Sequence, residues 1–128
     1  LHKKDSSYES DFNSTVQLSI SKYLARHEVL NISIITYYEI LSGLTYKKAT
    51  RQIDAFKSFA KECNIINLSN EITEIGANIY GDLRRNGFTI GHSDILIAAT
   101  AISHNLVLIT NNQKHYKSII DLQLDNCS

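Results

Sequence analysis

The feature that most constrains this chain is the alternation of short, β-branched runs with segments of helical period. Residues 32–35 (Ile, Ser, Ile, Ile), Ile65 and Ile66 with Leu68, and Val107 to Ile109 form three such runs, and polar helix-opening residues follow each of them. A strand covered on both faces needs no polar side, so runs of this kind read as buried strands. Between them, Tyr37, Leu41 and Leu44 share one helical face; Ile53, Phe56, Ala60 and Cys63 share a second; Ile72, Ile75, Ile79 and Leu83 share a third. Ser69 or Asn70 is placed to cap that third helix, and Asn86 and Gly87 to end it. From Ser93 to His104, Ile95, Leu96, Ile97, Ala98, Ala99, Ala101 and Ile102 leave almost no polar face, the pattern of a helix buried between layers.

A first helix is expected from Asn13 and Ser14, with Val16, Ile20, Tyr23, Leu24 and His27 inward, and a short helix at 114–119 and a strand at 122–124 complete the order. Strands alternating with helices specify an α/β class, here a three-layer α/β/α sandwich with a mainly parallel central sheet. At 128 residues and 43% hydrophobic content the chain buries one core, so a single domain over 1–128 is expected.

Charge and cysteine usage narrow the function. Lys+Arg and Asp+Glu both number 13, so no global positive field draws in a polyanion, and local patches or a metal would have to hold one. Cys63 and Cys127 match no zinc or redox spacing, which suits a reduced, cytoplasmic interior. No apolar run approaches the length of a membrane span, and residues 1–10 are too polar for a signal peptide, so the expectation is a protein with no membrane association. Methionine is absent, so Leu1 is not an initiator and residues upstream of it are expected to be missing.

In open parallel sheets, ligands bind beyond the carboxyl ends of the strands. Three polar clusters are expected at that edge: Thr36 to Glu39, Ser93 with Asp94, and Thr110 with Asn111 and Asn112. Glu39, Asp94 and Asn112 offer the oxygens that Mg²⁺ or Mn²⁺ takes, and such ions promote phosphodiester cleavage by activating water. Each cluster also has a purely structural use. Thr36 and Glu39 have the form of a capping box, Asp94 complements the positive end of its helix, and Thr110 to Asn112 form a loop and cap.

Two segments carry a family resemblance. Ile90 to Ile119, IGHSDILIAATAISHNLVLITNNQKHYKSI, and Ile32 to Leu44, ISIITYYEILSGL, resemble PIN-domain ribonucleases of the VapC type, toxins of type II toxin–antitoxin systems. The resemblance implies an endoribonuclease that cleaves RNA with metal-activated water, using Mg²⁺ or Mn²⁺. It makes Glu39, Asp94 and Asn112 the metal ligands, with Thr110 orienting a ligand or water. Asn112 stands where the family often has an Asp, which implies weaker metal binding. It also implies a homodimer and a cognate antitoxin partner. The family's first strand, which ends in an Asp-Thr-Asn-like word, has no match before Asn31, so that strand is expected to precede Leu1, and the chain without it to leave a sheet edge open.

Candidate RNA contacts are Arg84 and Arg85 near the Gly87 turn, and Lys114, His115 and Lys117 beside the Thr110 to Asn112 loop. The rival within the same fold is an inactive PIN-like binding module, degenerate or truncated. A receiver-like domain would need a Lys after a late strand, where Thr110 is followed by two Asn. A serine or cysteine hydrolase is disfavoured because Ser93 lacks a Gly-x-Ser-x-Gly elbow. His92 and Asp94 form too sparse a pair to specify a transition-metal site, and His92 reads as surface.

Overall fold

A computed structural model describes residues 29–125. The expected helix from Asn13, the segment before Val29, and Cys127 lie outside the described residues. Two compact units divide the described chain after Asn67.

The N-terminal unit runs β1 (Asn31–Ser33), α1 (Ile34–Tyr46), α2 (Thr50–Ala60) and β2 (Asn64–Ile66). β1 and β2 pair in parallel, with Asn31 opposite Asn64, Ile32 opposite Ile65 and Ser33 opposite Ile66. A side-chain bond from Asn64 Nδ2 to Asn31 Oδ1 at 2.8 Å closes the near end of the ladder. The strand expected over 32–35 stops two residues early, because Ser33 caps α1. Its backbone is extended and its Oγ accepts from Thr36 N at 3.0 Å, satisfying an amide that the first helical turn cannot. Ile34 and Ile35 are therefore helical despite their β-branched side chains. Ile40, Leu44 and Phe56 form the core between α1 and α2, and Tyr37 joins it with its ring 5.4 Å from that of Phe56.

The C-terminal unit runs α3 (Asn70–Arg85), α4 (His92–Ser103), β3 (Val107–Ile109), α5 (Gln113–Tyr116) and β4 (Gln123–Asp125). Ser69 is the cap of α3, accepting from Ile72 N at 3.2 Å. That helix ends at Asn86, and Gly87 takes the left-handed φ of +82° that a side chain would resist. α4 packs against α3 closely enough that Gly76 faces Ile95, Leu96 and Ala99 with room for little more than a methyl group.

As its sequence demands, α4 is buried almost all round, with Ile95, Ile97, Ala98, Ala99, Thr100 and Ala101 out of solvent. Leu83, Ile90, Ile95, Ala98, Tyr116 and Ile119 make the core of this unit. Each large side chain so buried contributes about 1.5–3 kcal/mol. β3 and β4 also pair in parallel, so both strand pairs among the described residues have the expected direction. α5 starts one residue earlier and ends three earlier than the expected 114–119 span, and β4 lies one residue later than expected.

Candidate active site

The site is built most fully around Asp94. It lies in the first turn of α4, the third residue after the capping position, Gly91, which has no side chain to cap the helix. An acid there complements the helix dipole, yet its carboxylate reaches the following helical segment. Oδ2 lies 2.8 Å from His115 Nε2, and Oδ1 accepts from the Tyr116 hydroxyl at 3.3 Å. Asp94 and His115 side chains are 15% and 29% exposed, so this pair is half-buried at the edge of the core. Tyr116 is rooted in that core at 1% exposure, while its hydroxyl ends at the carboxylate.

The turn that leaves β3 supplies the neighbouring groups. Thr110 is fully buried, and its Oγ1 accepts from Asn112 N at 3.0 Å, so its hydroxyl shapes the turn. Thr110 N donates to Asp125 O, which ties the same turn to β4. Asn112 occupies the capping position of α5 without a side-chain bond to that helix. Its carbonyl accepts from His115 N at 3.1 Å. The turn, His115 and Asp94 thus form one connected arrangement in which Asn112 is half-buried.

Glu39 belongs to the N-terminal unit, in the second turn of α1. The capping-box use expected for Thr36 and Glu39 is excluded: the cap is Ser33, and Thr36 is already inside the helix. Ser33 Oγ also donates to Thr36 Oγ1 at 3.1 Å, so that hydroxyl completes the cap. Glu39 is half-buried, with Oε1 shielded from solvent.

The remaining candidates separate by environment. Arg85 is exposed and pairs with Asp82 on its own helix. Arg84 is exposed and sets its guanidinium 5.4 Å from the centre of the Tyr80 ring. Lys114 and Lys117 are exposed on α5 and at its end. His115, expected as a phosphate contact, sets its Nε2 against Asp94 Oδ2. Sequence reasoning missed Tyr116 and this use of His115; the one signal was their position directly after the Thr110 to Asn112 word. Missed as well was a stacked pair, Tyr80 on His92, with ring centres 4.9 Å apart and planes 19° from parallel.

Among the described residues no three His, Cys, Asp or Glu side chains gather into an all-protein metal cage. Mg²⁺ keeps several waters and takes one or two carboxylates. The half-buried Asp94 carboxylate and the uncommitted capping position of Asn112 fit such an ion by donor chemistry.

Parallel strand pairs joined by helices, with a carboxylate fixed at the head of a buried helix and linked to the turn after a strand, define an α/β domain of the kind that binds ligands at strand carboxyl ends. The family model for the PIN domain matches residues 12–118, and the chain belongs to that family. It is similar to Ribonuclease VapC2 of Rickettsia felis, with 34% identity over 104 residues covering 80% of this chain and 78% of that protein. Its fold is similar to the crystal structure of VapBC2 from Rickettsia felis bound to a DNA fragment from their promoter, with a TM-score of 0.72, 30% identity, and coverage of 91% and 84%. A toxin–antitoxin complex from Klebsiella pneumoniae is similar too, with a TM-score of 0.65, 26% identity, and coverage of 86% and 84%. The α/β fold is therefore that of PIN domains, as the quoted segments imply.

Proposed function

We propose that this protein is a metal-dependent endoribonuclease and the toxin of a toxin–antitoxin pair. The observation that carries the reading is Asp94, a carboxylate fixed by two side chains at the head of a buried helix. The likeness to a relative named as a ribonuclease supports the activity. The likeness to a solved toxin–antitoxin complex supports a cognate antitoxin as partner, and the family resemblance adds a homodimer.

Asp94 and Asn112 are the ligands in this reading, and the family resemblance alone adds Glu39. Bound there, Mg²⁺ or Mn²⁺ supplies an activated water and screens charge that develops on the phosphate. His115 and Tyr116 keep the Asp94 carboxylate aimed, so that little reorganisation is needed when the ion and the RNA arrive. Thr110 and Asn112 hold the turn that presents the amide oxygen.

The test is cleavage of end-labelled single-stranded RNA by the full-length protein, with Mg²⁺, with Mn²⁺ and with chelator. Metal-dependent cleavage giving products without a 2′,3′-cyclic phosphate is expected, since water and not the neighbouring hydroxyl attacks. Cleavage that survives the chelator, or ends in a cyclic phosphate, refutes the reading. Complete inactivity with antitoxin binding retained would establish the rival, a PIN-like module that no longer cleaves.

A further inference from the structure

The C-terminal unit carries an aromatic and cationic cluster that the chemistry above does not use. Tyr80 of α3 stacks on His92, the first residue of α4, with centres 4.9 Å apart and planes 19° from parallel. Arg84, one turn further along α3, lies with its guanidinium carbon 5.4 Å from the Tyr80 ring centre. Tyr80 is itself packed against the core formed by Leu83, Ile90 and Ile95, so the ring under His92 is anchored. His92 and Arg84 are both exposed.

An exposed histidine at a helix start needs no aromatic support for solubility or capping. Here one face of the imidazole is seated on a ring fixed by the core, and the residue stays open to solvent two positions before Asp94. Asp82, the acid nearest Tyr80 and Arg84 in sequence, is engaged by Arg85, which leaves the cluster with cationic character at Arg84. A held flat ring and a guanidinium, each set against the Tyr80 ring, are the two parts that single-stranded nucleic acid requires, a stacking face for a base and a cation for a phosphate. The chain has no net charge to supply a long-range field, so local groups such as these must do it.

We infer that His92, seated on Tyr80, stacks on the nucleobase next to the scissile phosphate of a single-stranded RNA, while Arg84 contacts that nucleotide's backbone. The inference rests on the RNA-cleaving reading above and adds the residues that receive the flanking nucleotide.

Fluorescence anisotropy with the full-length protein in chelator separates binding from cleavage. His92→Ala is expected to weaken binding of a labelled single-stranded RNA by about fivefold or more, the low end of what one stacked base contributes. His92→Phe restores it, since the ring and not the imidazole nitrogen is needed. On an abasic ribose-phosphate strand, wild type and His92→Ala bind equally. Arg84→Ala flattens the dependence of log Kd on log salt by roughly one phosphate contact. Unchanged RNA affinity in His92→Ala, or an equal loss on the abasic strand, overturns the stacking assignment. Should wild type cleave and bind RNA while His92→Ala matches it, the platform alone fails; should wild type neither bind nor cleave, the nuclease reading fails and the platform with it. Tight binding of a cognate antitoxin that is lost in His92→Ala, with RNA binding unaffected, would reassign the surface to the protein partner.

Discussion

If His115 holds Asp94, the two side chains must be energetically coupled, and the structure sets the size of that coupling. Their contact is 2.8 Å, with side chains 29% and 15% exposed. Exposed charged contacts contribute about 0.2–1 kcal/mol, whereas a hydrogen bond to a charged group contributes about 1.5–3 kcal/mol. A half-buried pair falls between, so a coupling of about 1–2 kcal/mol is expected. The Tyr116 hydroxyl remains 3.3 Å from Oδ1 when His115 is removed, which keeps the value toward the lower half of that interval. The assay is urea unfolding followed by circular dichroism for wild type, Asp94→Ala, His115→Ala and the double variant. The double variant should lose less stability than the two single losses added together, by the coupling energy. A shortfall under about 0.3 kcal/mol, the scatter among independent sites, would show that the contact does not position Asp94.

Three further outcomes are expected. Ser33→Ala removes the cap of α1, whose Oγ accepts from Thr36 N at 3.0 Å, and should cost about 0.5–2 kcal/mol in the same assay; Ser33→Asn should recover most of it, and an unchanged midpoint for the alanine variant would refute the cap. Ile72 is fully buried in α3, so Ile72→Ala should cost about 2–5 kcal/mol through lost contacts and a residual cavity; a loss below that interval would mean the site is open. Burial, helped by Glu62, pushes the Cys63 thiol from 9.0 up to about 11. Only the thiolate alkylates, so at pH 8 its iodoacetamide rate, read by peptide mapping, should be about a hundredfold below that of an unshifted thiol and climb until pH nears 11; a plateau near pH 9 would refute the shift.

Much of this was legible in the residues because local physics decided it. The caps and the ends of α3 follow from Ser69, Asn86 and Gly87, and the buried character of α4 from an almost unbroken apolar run. The boundary of β1 was misjudged because Ile34 and Ile35 favour strands, while one hydroxyl, that of Ser33, satisfies the helix amide and overrides them. The same bond excludes a capping role that made Glu39 ambiguous. Contacts between sequence-distant groups were out of reach. His115 and Asp94 stand 21 positions apart, and only the packing of α5 against the head of α4 brings the imidazole to the carboxylate. The stacking of Tyr80 on His92 likewise depends on how the chain turns back after Gly87.

The most direct test of whether Asp94 is a metal ligand is Mn²⁺ binding followed by electron paramagnetic resonance, with no RNA present. Wild-type protein should remove free Mn²⁺ from solution with a stoichiometry near one. Asp94→Asn should abolish or greatly weaken that uptake while unfolding within about 2 kcal/mol of wild type. Undiminished Mn²⁺ uptake by a folded Asp94→Asn protein would contradict the assignment of this carboxylate to the metal.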